Sequence, residues 1–339
     1  MRILVGMSGG ADSSFAALRL LDEGHEVEGA VLVMHDYTDT AAATLAAREI
    51  GIPLHVVDCR GAFENQVVSY FLNEYKNGRT PNPCTVCNGA VKFKILHDYA
   101  ISNGFDKIAT GHYANISCEN GRYSISRAED LKKDQSYMLW RLSQDILADL
   151  ILPLWGIDKE EVRRTLASRG ITSSKSPDSQ EICFIPDDDY VSFIKSRIGD
   201  IEKGHFLNKD GDILGEHRGI VGYTVGQRKG LGVALGKRMF VTGIDPERNV
   251  VVLSDAPEYT NTVKVSDIVF SGIAMANAGD VIEGEVKLRY LARPIPARAE
   301  FLGEKQSHIT LCIPEKSVTP GQSAVFYQGS RVLFGGFID

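Results

Sequence analysis

The chain has 339 residues, of which 43% are hydrophobic and 24% charged, and its formal net charge at pH 7 is -7. This composition indicates a globular protein of two or three domains. The apolar runs are too short for a membrane span of about 20 residues or for a signal peptide. We therefore expect a cytoplasmic protein with no membrane partner. The negative net charge argues against a nucleic-acid partner unless a local basic patch overcomes it.

The first half of the chain alternates between apolar runs and amphipathic segments. RILVG (2–6), EVEGAVLVM (26–34), PLHVVD (53–58) and DKIATG (106–111) predict strands, and 12–23, 39–50, 62–76 and 90–103 predict helices. This alternation predicts an α/β domain with a parallel, Rossmann-like sheet covered on both faces. Ligands of such sheets bind beyond the carboxyl ends of the strands. We therefore expect Gly9, Met34 and Gly111 to face one site.

The second half changes in character. GIDKEEVRRTLASRGI predicts one more helix, with Asp158 as its N-cap and Gly170 at its end. From about residue 200, short β-rich runs with many glycines predict two small β-rich or β-barrel domains. We divide the chain into an α/β catalytic domain (1–199), a central β-rich domain (200–260) and a C-terminal β-barrel domain (261–339).

The turn after the first strand reads S-G-G-A-D-S and opens the first helix. It matches neither the P-loop nor the dinucleotide fingerprint. Gly9 and Gly10 permit positive φ and close approach of a ligand, and the helix N-terminus favours an anion. Ser8 and Ser13 add hydroxyl groups, and Asp12 is placed to cap the helix or to meet Mg²⁺. A plain Gly-Gly turn is the alternative, but the pattern favours a pyrophosphate site.

This turn resembles the loop of the PP-loop ATP pyrophosphatases, although Ala11 stands where that loop usually has Val. The resemblance implies that the protein splits ATP between its α and β phosphates, with Mg²⁺, and adenylates a substrate oxygen. The loop by itself does not indicate which acceptor is used.

Two segments carry cysteines in a pattern that suggests chemistry. Cys84 and Cys87 lie in GRTPNPCTVCNGAVKF, and Cys183 lies in SPDSQEICFIP. We interpret the first segment as a loop just before a helix, a position that lowers the pKa of a thiol and predicts a Cys87 thiolate near neutral pH. Half a zinc site or a redox pair also fits C-x-x-C. Two separated reactive cysteines beside an adenylating site fit sulfur transfer through a persulfide.

Seven motifs, taken together, closely resemble the tRNA-specific 2-thiouridylases over essentially the whole chain. In chain order they are GMSGGADSS, GRTPNPCxxCN, ATGHYA, KDQSYML, DSQEICFI, GYTVGQRKGLG and PGQSAVFY. The resemblance implies a tRNA-uridine 2-sulfurtransferase that adenylates O2 of uridine 34 in glutamate, lysine and glutamine tRNAs and replaces this oxygen by sulfur. The implied sulfur donor is a cysteine desulfurase or a persulfide relay protein.

The resemblance also implies the roles of individual residues. Cys87 is the implied catalytic nucleophile and Cys183 the implied persulfide carrier. The residues implied to bind ATP are Gly6, Met7, Ser8, Gly9, Gly10, Ala11, Asp12, Ser13, Met34 and Gly111. The residues implied to contact tRNA or its target base are Asn82, Pro83, Cys84, His112, Lys133, Asp134, Gln135, Arg289, Tyr290 and Gln322.

Several alternatives stay open at the level of sequence. Some members of the family have Asp at the position of Cys84, so this thiol either supports Cys87 or joins Cys87 and Cys183 in holding an iron–sulfur cluster; we favour the persulfide route. His112 and Asp134 also fit structural roles, Asp134 as a helix N-cap. A PP-loop enzyme with another acceptor and a non-enzymatic cluster-binding RNA module are the competing functions. A basic cluster provides the local patch expected for tRNA phosphates; its members are Arg218, Arg228, Lys229, Lys237 and Arg238.

Overall fold

A computed structural model of the chain describes residues 1–175, 182–185, 187–233 and 236–339. The elements of the first 198 residues are, in chain order, β1 (Arg2–Gly6), α1 (Ala11–Asp22), β2 (Glu26–Val33), α2 (Thr40–Ile50), β3 (Leu54–Asp58), α3 (Arg60–Phe63), α4 (Ser69–Lys76), α5 (Pro83–Cys87), α6 (Phe93–Ser102), β4 (Lys107–Ala109), β5 (Ala114–Glu119), β6 (Arg122–Arg127), α7 (Gln144–Asp149), β7 (Leu150–Ile151), α8 (Lys159–Ser168) and α9 (Tyr190–Ile198).

Five of these strands form the predicted parallel sheet. Its order is β3-β2-β1-β4-β7, with every neighbouring pair parallel. Ile3, Leu4 and Val5 of the central strand are fully buried, as expected for a sheet that is covered on both faces. Because parallel strands end at one edge, the carboxyl ends of β1, β2 and β4 lie side by side.

Helix boundaries follow the capping residues closely. The Asp39 side chain accepts a hydrogen bond from Ala42 N (2.8 Å), and that of Asp158 accepts one from Glu160 N (2.7 Å), as N-caps do. Gly170 has the positive φ of 74° expected at a helix end. By contrast, the N-cap of α1 is Gly10, with no side-chain cap. The prediction that Asp12 caps this helix is therefore wrong, since Asp12 already lies inside the first turn.

The segment with Cys84 and Cys87 is helical, contrary to the prediction. A five-residue π turn (Asn88–Lys92) joins α5 to α6, so one continuous helix begins at Pro83 rather than near residue 90. The Asn82 side chain caps it by accepting a hydrogen bond from Cys84 N (3.2 Å). Asn followed by Pro is a typical N-cap and first-turn pair, a local signal that our sequence analysis did not use. A second π turn, Glu64–Val68, joins α3 to α4 in the same way.

The β-rich half contains two sheets, as predicted. Its strands are β8 (Gly204–Leu207), β9 (Ile213–His217), β10 (Phe240–Asp245), β11 (Val250–Ser254), β12 (Tyr259–Phe270), β13 (Val281–Lys287), β14 (Ile295–Gly303), β15 (Gln306–Lys316), β16 (Ser323–Gln328) and β17 (Arg331–Ile338). The first four form a sheet of order β10-β11-β8-β9, and the last six close into a barrel because β12 pairs with both β15 and β17. None of the described helices is both long and apolar enough to cross a membrane.

The barrel is joined directly to the α/β part. The hairpin β5–β6, which the sequence analysis missed, extends the barrel sheet through a pairing of Ser126 with Arg331. Trp140 is fully buried, and its Nε1 donates to Ser323 Oγ (3.1 Å). A Cβ on Gly335 would lie only 2.5 Å from the indole ring, so a glycine is needed where the ring packs on β17.

Candidate active site

The loop Gly6–Ser13 runs from the carboxyl end of β1 into α1, in the predicted position. Gly9 has φ of 78°, whereas Gly10 is extended with φ of −81°, so one of the two glycines takes the left-handed conformation. A Cβ on Gly9 would lie 2.6 Å from the carbonyl carbon of Ala42, and one on Gly111 would lie 2.5 Å from that of Asp12. Glycines thus let the loop pack directly against the backbones that follow β2 and β4.

Hydroxyl groups hold the loop in shape from within. Ser8 N donates to Ser13 Oγ (3.2 Å), Ser13 Oγ donates to Gly10 O (3.1 Å), and Gly10 N donates to Ser8 Oγ (3.3 Å). Met7 N extends the sheet by donating to Ala30 O (2.8 Å). The first N–H groups of the twelve-residue α1 have no acceptor within the helix. The loop therefore presents N–H donors and a positive helix end to an anion.

Asp12 makes contacts that its local sequence did not indicate. Its carboxylate pairs with Lys159 Nζ at 2.6 and 2.7 Å and accepts a hydrogen bond from Tyr113 Oη (2.8 Å). Both partners lie more than 100 residues away in sequence, so only the fold brings them together. Throughout the described residues there is no group of three or more His, Cys, Asp or Glu side chains placed to hold a metal ion.

Cys87 lies at the carboxyl end of β2, the strand beside β1. Cys87 is buried, and its Sγ lies 3.7 Å from the sulfur of Met34, the residue after β2. Cys59 follows β3 and donates through its thiol to Val33 O (3.3 Å). The predicted nucleotide edge and the predicted sulfur chemistry therefore form one continuous region.

The protonation of the thiols differs from the prediction. Desolvation by the surrounding chain raises the pKa of Cys84, Cys87 and Cys183, for Cys183 to about 12, while Lys92 opposes this rise at all three. Cys87 is buried, whereas Cys84 and Cys183 keep an exposed surface. The prediction of a Cys87 thiolate near neutral pH is wrong, because Cys87 lies inside a helix and 94% of its surface is covered, whereas the prediction assumed a loop before a helix. All six cysteines are free thiols.

Cys183 interacts electrostatically with Cys84 and Cys87. The thiols of Cys87 and Cys84 both raise the pKa of Cys183, so the three sulfur atoms share one electrostatic environment. The described part of its motif is 182–185, in which Phe184 packs edge-on against Phe63 and Phe71. Residues 177–181 and 186, which complete the predicted segment, lie outside the described residues.

His112 is in its neutral form beside the thiol cluster, which consists of Cys84, Cys87 and Cys183. Its Nδ1 is 2.9 Å from Thr110 Oγ1, and its ring is 5.2 Å from that of Phe93. Burial, assisted by the charge of Lys92, lowers the pKa of His112 to about 3. The imidazole is therefore uncharged at neutral pH.

Two residues predicted to contact tRNA have their polar groups engaged within the chain. Asp134 is buried, and its carboxylate accepts hydrogen bonds from Ser136 N, Ser136 Oγ and Ala128 N. Gln135 Oε1 accepts one from Tyr113 N (2.9 Å). These contacts support the alternative structural role of Asp134, although it fixes a 3₁₀ turn (Ser136–Leu139) rather than an α-helix. The neighbouring Lys133 donates through its backbone to Asp130 O.

The predicted contacts in the barrel region also have partners in the chain. Arg289 Nη2 donates to Ser317 O (2.9 Å) and to the hydroxyl of Thr319. Gln322 Nε2 donates to Thr80 O (2.8 Å), which ties the barrel to the segment before Asn82.

Aromatic rings continue from the barrel toward the thiols. The Tyr290 ring lies 6.0 Å from that of Tyr137, with Lys287 Nζ 5.8 Å above both. Burial raises the pKa of Tyr290, and the charges of Asp134 and Cys84 add to this rise, so the ring stands near Cys84.

Part of the predicted basic cluster lines one open cavity. Arg228, Lys237 and Arg238 surround a space of about 580 Å³ beside β10. Lys237 also pairs with Asp255 at 3.3 Å on the surface. A shared cavity with several cations is compatible with phosphate binding.

Comparison with known proteins agrees with this geometry over the whole chain. Three family models match consecutively: a tRNA methyl transferase HUP domain (1–187), a tRNA methyl transferase PRC-barrel domain (191–255) and an aminomethyltransferase beta-barrel domain (260–338). Proteins described as tRNA-specific 2-thiouridylase MnmA are similar to the chain: that of Carboxydothermus hydrogenoformans (41% identity, 100% of this chain and 97% of the relative), that of Acetivibrio thermocellus (41%, 99% and 99%) and that of Desulforudis audaxviator (42%, 99% and 98%). The chain belongs to the family of tRNA-specific 2-thiouridylases.

Proposed function

We propose that this protein is a tRNA-uridine 2-sulfurtransferase that replaces O2 of the wobble uridine, position 34 of glutamate, lysine and glutamine tRNAs, by sulfur at the expense of ATP. The observation that carries the proposal is the contact of Cys87 Sγ with Met34 Sδ at 3.7 Å. It joins the thiol cluster to the edge of the sheet where the loop Gly6–Ser13 lies. Activation of an oxygen and delivery of sulfur therefore take place in one region, in the cytoplasm where ATP and tRNA occur together.

In the first step the phosphate loop orients ATP. The N–H groups at the start of α1 and the hydroxyl of Ser8 hold the phosphates, while Ser13 keeps the loop in shape by donating to Gly10 O. Uridine O2 attacks the α-phosphorus as pyrophosphate leaves. Mg²⁺ is usually held by one or two carboxylates together with substrate phosphates. Asp12 is the carboxylate next to the loop, and it would have to share its oxygens with Lys159.

In the second step sulfur moves to carbon. Cys183 carries a persulfide supplied by a donor protein such as a cysteine desulfurase or a relay protein. Its terminal sulfur attacks C2 of the adenylated uridine, AMP leaves with the former O2, and a Cys183–S–S–C2 link remains. Cys87 then attacks Cys183 Sγ, which leaves the transferred sulfur on the base and forms a Cys87–Cys183 disulfide. An external thiol reductant restores both thiols.

The surroundings of the thiols suit this order of events. Since burial raises the pKa of Cys87, this thiol stays protonated and unreactive until the complex forms. A buried neutral thiol is a poor nucleophile, so premature attack on the persulfide is suppressed.

Nucleoside mass spectrometry of unmodified glutamate tRNA tests the proposal. The tRNA is incubated with the protein, ATP, Mg²⁺ and a persulfide source. We expect ATP-dependent 2-thiouridine with the wild type and with Cys118→Ser, an exposed control thiol, and none with Cys87→Ser or Cys183→Ser. AMP formation without 2-thiouridine would indicate another acceptor. Retention of full thiolation by either active-site variant would refute the role given to that cysteine.

Iron analysis of anaerobically purified protein tests the competing cluster chemistry. The persulfide route predicts activity in iron-free protein. Activity that appears only with bound iron, and is lost in Cys84→Ser, would favour a cluster held by the three thiols.

A further inference from the structure

The π turn Asn88–Lys92 determines which side chains meet at the thiol cluster. In a π-helix the hydrogen-bonded turn joins residues five apart, and such turns occur frequently at functional sites. Cys87 and Lys92 are five residues apart and are therefore neighbours along the helix axis. A regular α-helix would turn Lys92 well away from Cys87, since residues three or four apart share a face there.

Packing holds this π turn in place. Asn88 is buried and donates through Nδ2 to Met138 O (3.0 Å). A Cβ on Gly89 would lie 2.7 Å from Arg141 Cβ, so the turn is pressed against the neighbouring segment. The π turn Glu64–Val68 also packs against it. Tertiary packing thus fixes the backbone of the turn that ends at Lys92.

Lys92 ends the π turn that begins directly after Cys87, and its charge acts mainly on thiols. Lys92 is partly buried, and among the described residues no carboxylate forms an ion pair with it, whereas Lys94, two positions on, pairs with Asp98 at 2.9 Å. Its charge acts on three thiols and on the neutral imidazole of His112. The thiols also affect the pKa of two further titratable groups, Cys59 and Tyr290.

We propose that the ammonium group of Lys92 binds the negatively charged sulfur during the transfer, which makes Lys92 a positioning residue for the reaction proposed above. The persulfide of Cys183 and the thiolate of Cys87 each bear a negative charge when they attack, and desolvation at both thiols disfavours that charge. One cation that acts on both sulfur atoms stabilises both anions in turn and keeps its own protons. This inference rests on the proposed function for its chemistry, but its electrostatic part can be measured without any turnover.

The first test is alkylation of the ligand-free protein by iodoacetamide near neutral pH, quantified by mass spectrometry of the peptides that carry Cys84 and Cys183. The proposed contact would bring the ammonium group within about 4–6 Å of the sulfur atoms, where an opposite charge shifts a pKa by about one to three units. We therefore expect Lys92→Met to slow alkylation of these thiols at least about tenfold. Lys92→Arg should restore most of the rate, and Lys94→Met should leave it unchanged. The exposed Cys312 serves as the internal control within each sample. An unchanged rate at both thiols in Lys92→Met would overturn the proposal.

The second test compares sulfur transfer with the preceding steps in the same reaction mixture. Lys92→Met should lower single-turnover 2-thiouridine formation at least about tenfold, while its tRNA affinity and its melting temperature stay near those of Lys94→Met. A loss of tRNA affinity with unchanged alkylation would instead assign Lys92 to the RNA backbone and overturn the proposal. If the wild type forms no 2-thiouridine, the proposed function fails, and the alkylation test still decides whether Lys92 controls the thiols.

Discussion

Replacement of Gly111 by alanine tests how the nucleotide loop is built. A Cβ at this position would lie 2.5 Å from the carbonyl carbon of Asp12 and 2.7 Å from both Asp12 O and Ser13 N. These backbone atoms would have to retreat by about 0.7–0.9 Å to reach ordinary contact distance, a strain of about 1–3 kcal/mol or more. Since the displaced atoms form the start of α1, the variant should lose phosphate donors as well as stability.

The expected size of the effect follows from that strain. A destabilisation of about 1–3 kcal/mol lowers the melting temperature of a domain of about 150–250 residues by about 2–12 °C. The same energy applied to nucleotide binding weakens ATP affinity by about 5- to 150-fold. Thermal unfolding without ligand measures the first effect, and isothermal titration calorimetry with ATP measures the second.

A matched substitution separates packing from binding. Gly61 lies in α3, and no atom lies within 4 Å of its Cβ position. Gly61→Ala should therefore keep its ATP affinity and gain up to about 1 kcal/mol of helix stability. A Gly111→Ala protein with the wild-type melting temperature and weakened ATP binding would refute the packing argument and favour a direct contact of Gly111 with the nucleotide.

Three further predictions concern the cap, the buried imidazole and the barrel contact. Asn82→Ala should lower the melting temperature through the loss of an N-cap worth about 0.5–2 kcal/mol, and Asn82→Ser should restore most of it. The pKa of His112 in the folded protein, about 3, lies below the ordinary histidine pKa of 6.5, so the stability that it contributes is present above about pH 6.5 and is lost as the pH falls toward 3. Thermal unfolding at several pH values should show a steeper acid loss in the wild type than in His112→Asn, and parallel curves would contradict this. Ser323→Ala leaves the buried Trp140 N–H without its acceptor and should destabilise the protein by about 1–3 kcal/mol, as measured by thermal unfolding, whereas alanine at the exposed Ser330 should have no effect.

Local sequence patterns determined much of the fold. Apolar runs and helical periodicity identified four of the five strands of the parallel sheet and most of its helices, because burial on both faces and amphipathicity leave a periodic record in neighbouring residues. Asp158 and Gly170 marked the ends of one helix because capping involves residues within one turn. The glycine loop and the order of the cysteine motifs likewise indicated the family.

The electrostatics of the site depended on contacts between distant segments. The pairing of Asp12 with Lys159 joins residues 147 positions apart, and the docking of Trp140 on Gly335 joins the α/β part to the barrel. No local pattern encodes either contact. The same holds for the thiols: the sequence placed Cys87 next to a helix, but burial by packed neighbours determines whether its charge is favoured.

The sequence by itself therefore determined most elements of the parallel sheet and the position of the loop Gly6–Ser13, and it proposed the reactive residues. Only the tertiary structure decided that packed neighbours bury Cys87, that its thiol is protonated, and that a π turn makes Lys92 a neighbour of Cys87 along the helix. The physical reason is range: helix periodicity and capping act within about one or two turns of chain, whereas desolvation and Coulomb interactions depend on whatever the fold brings within several ångströms.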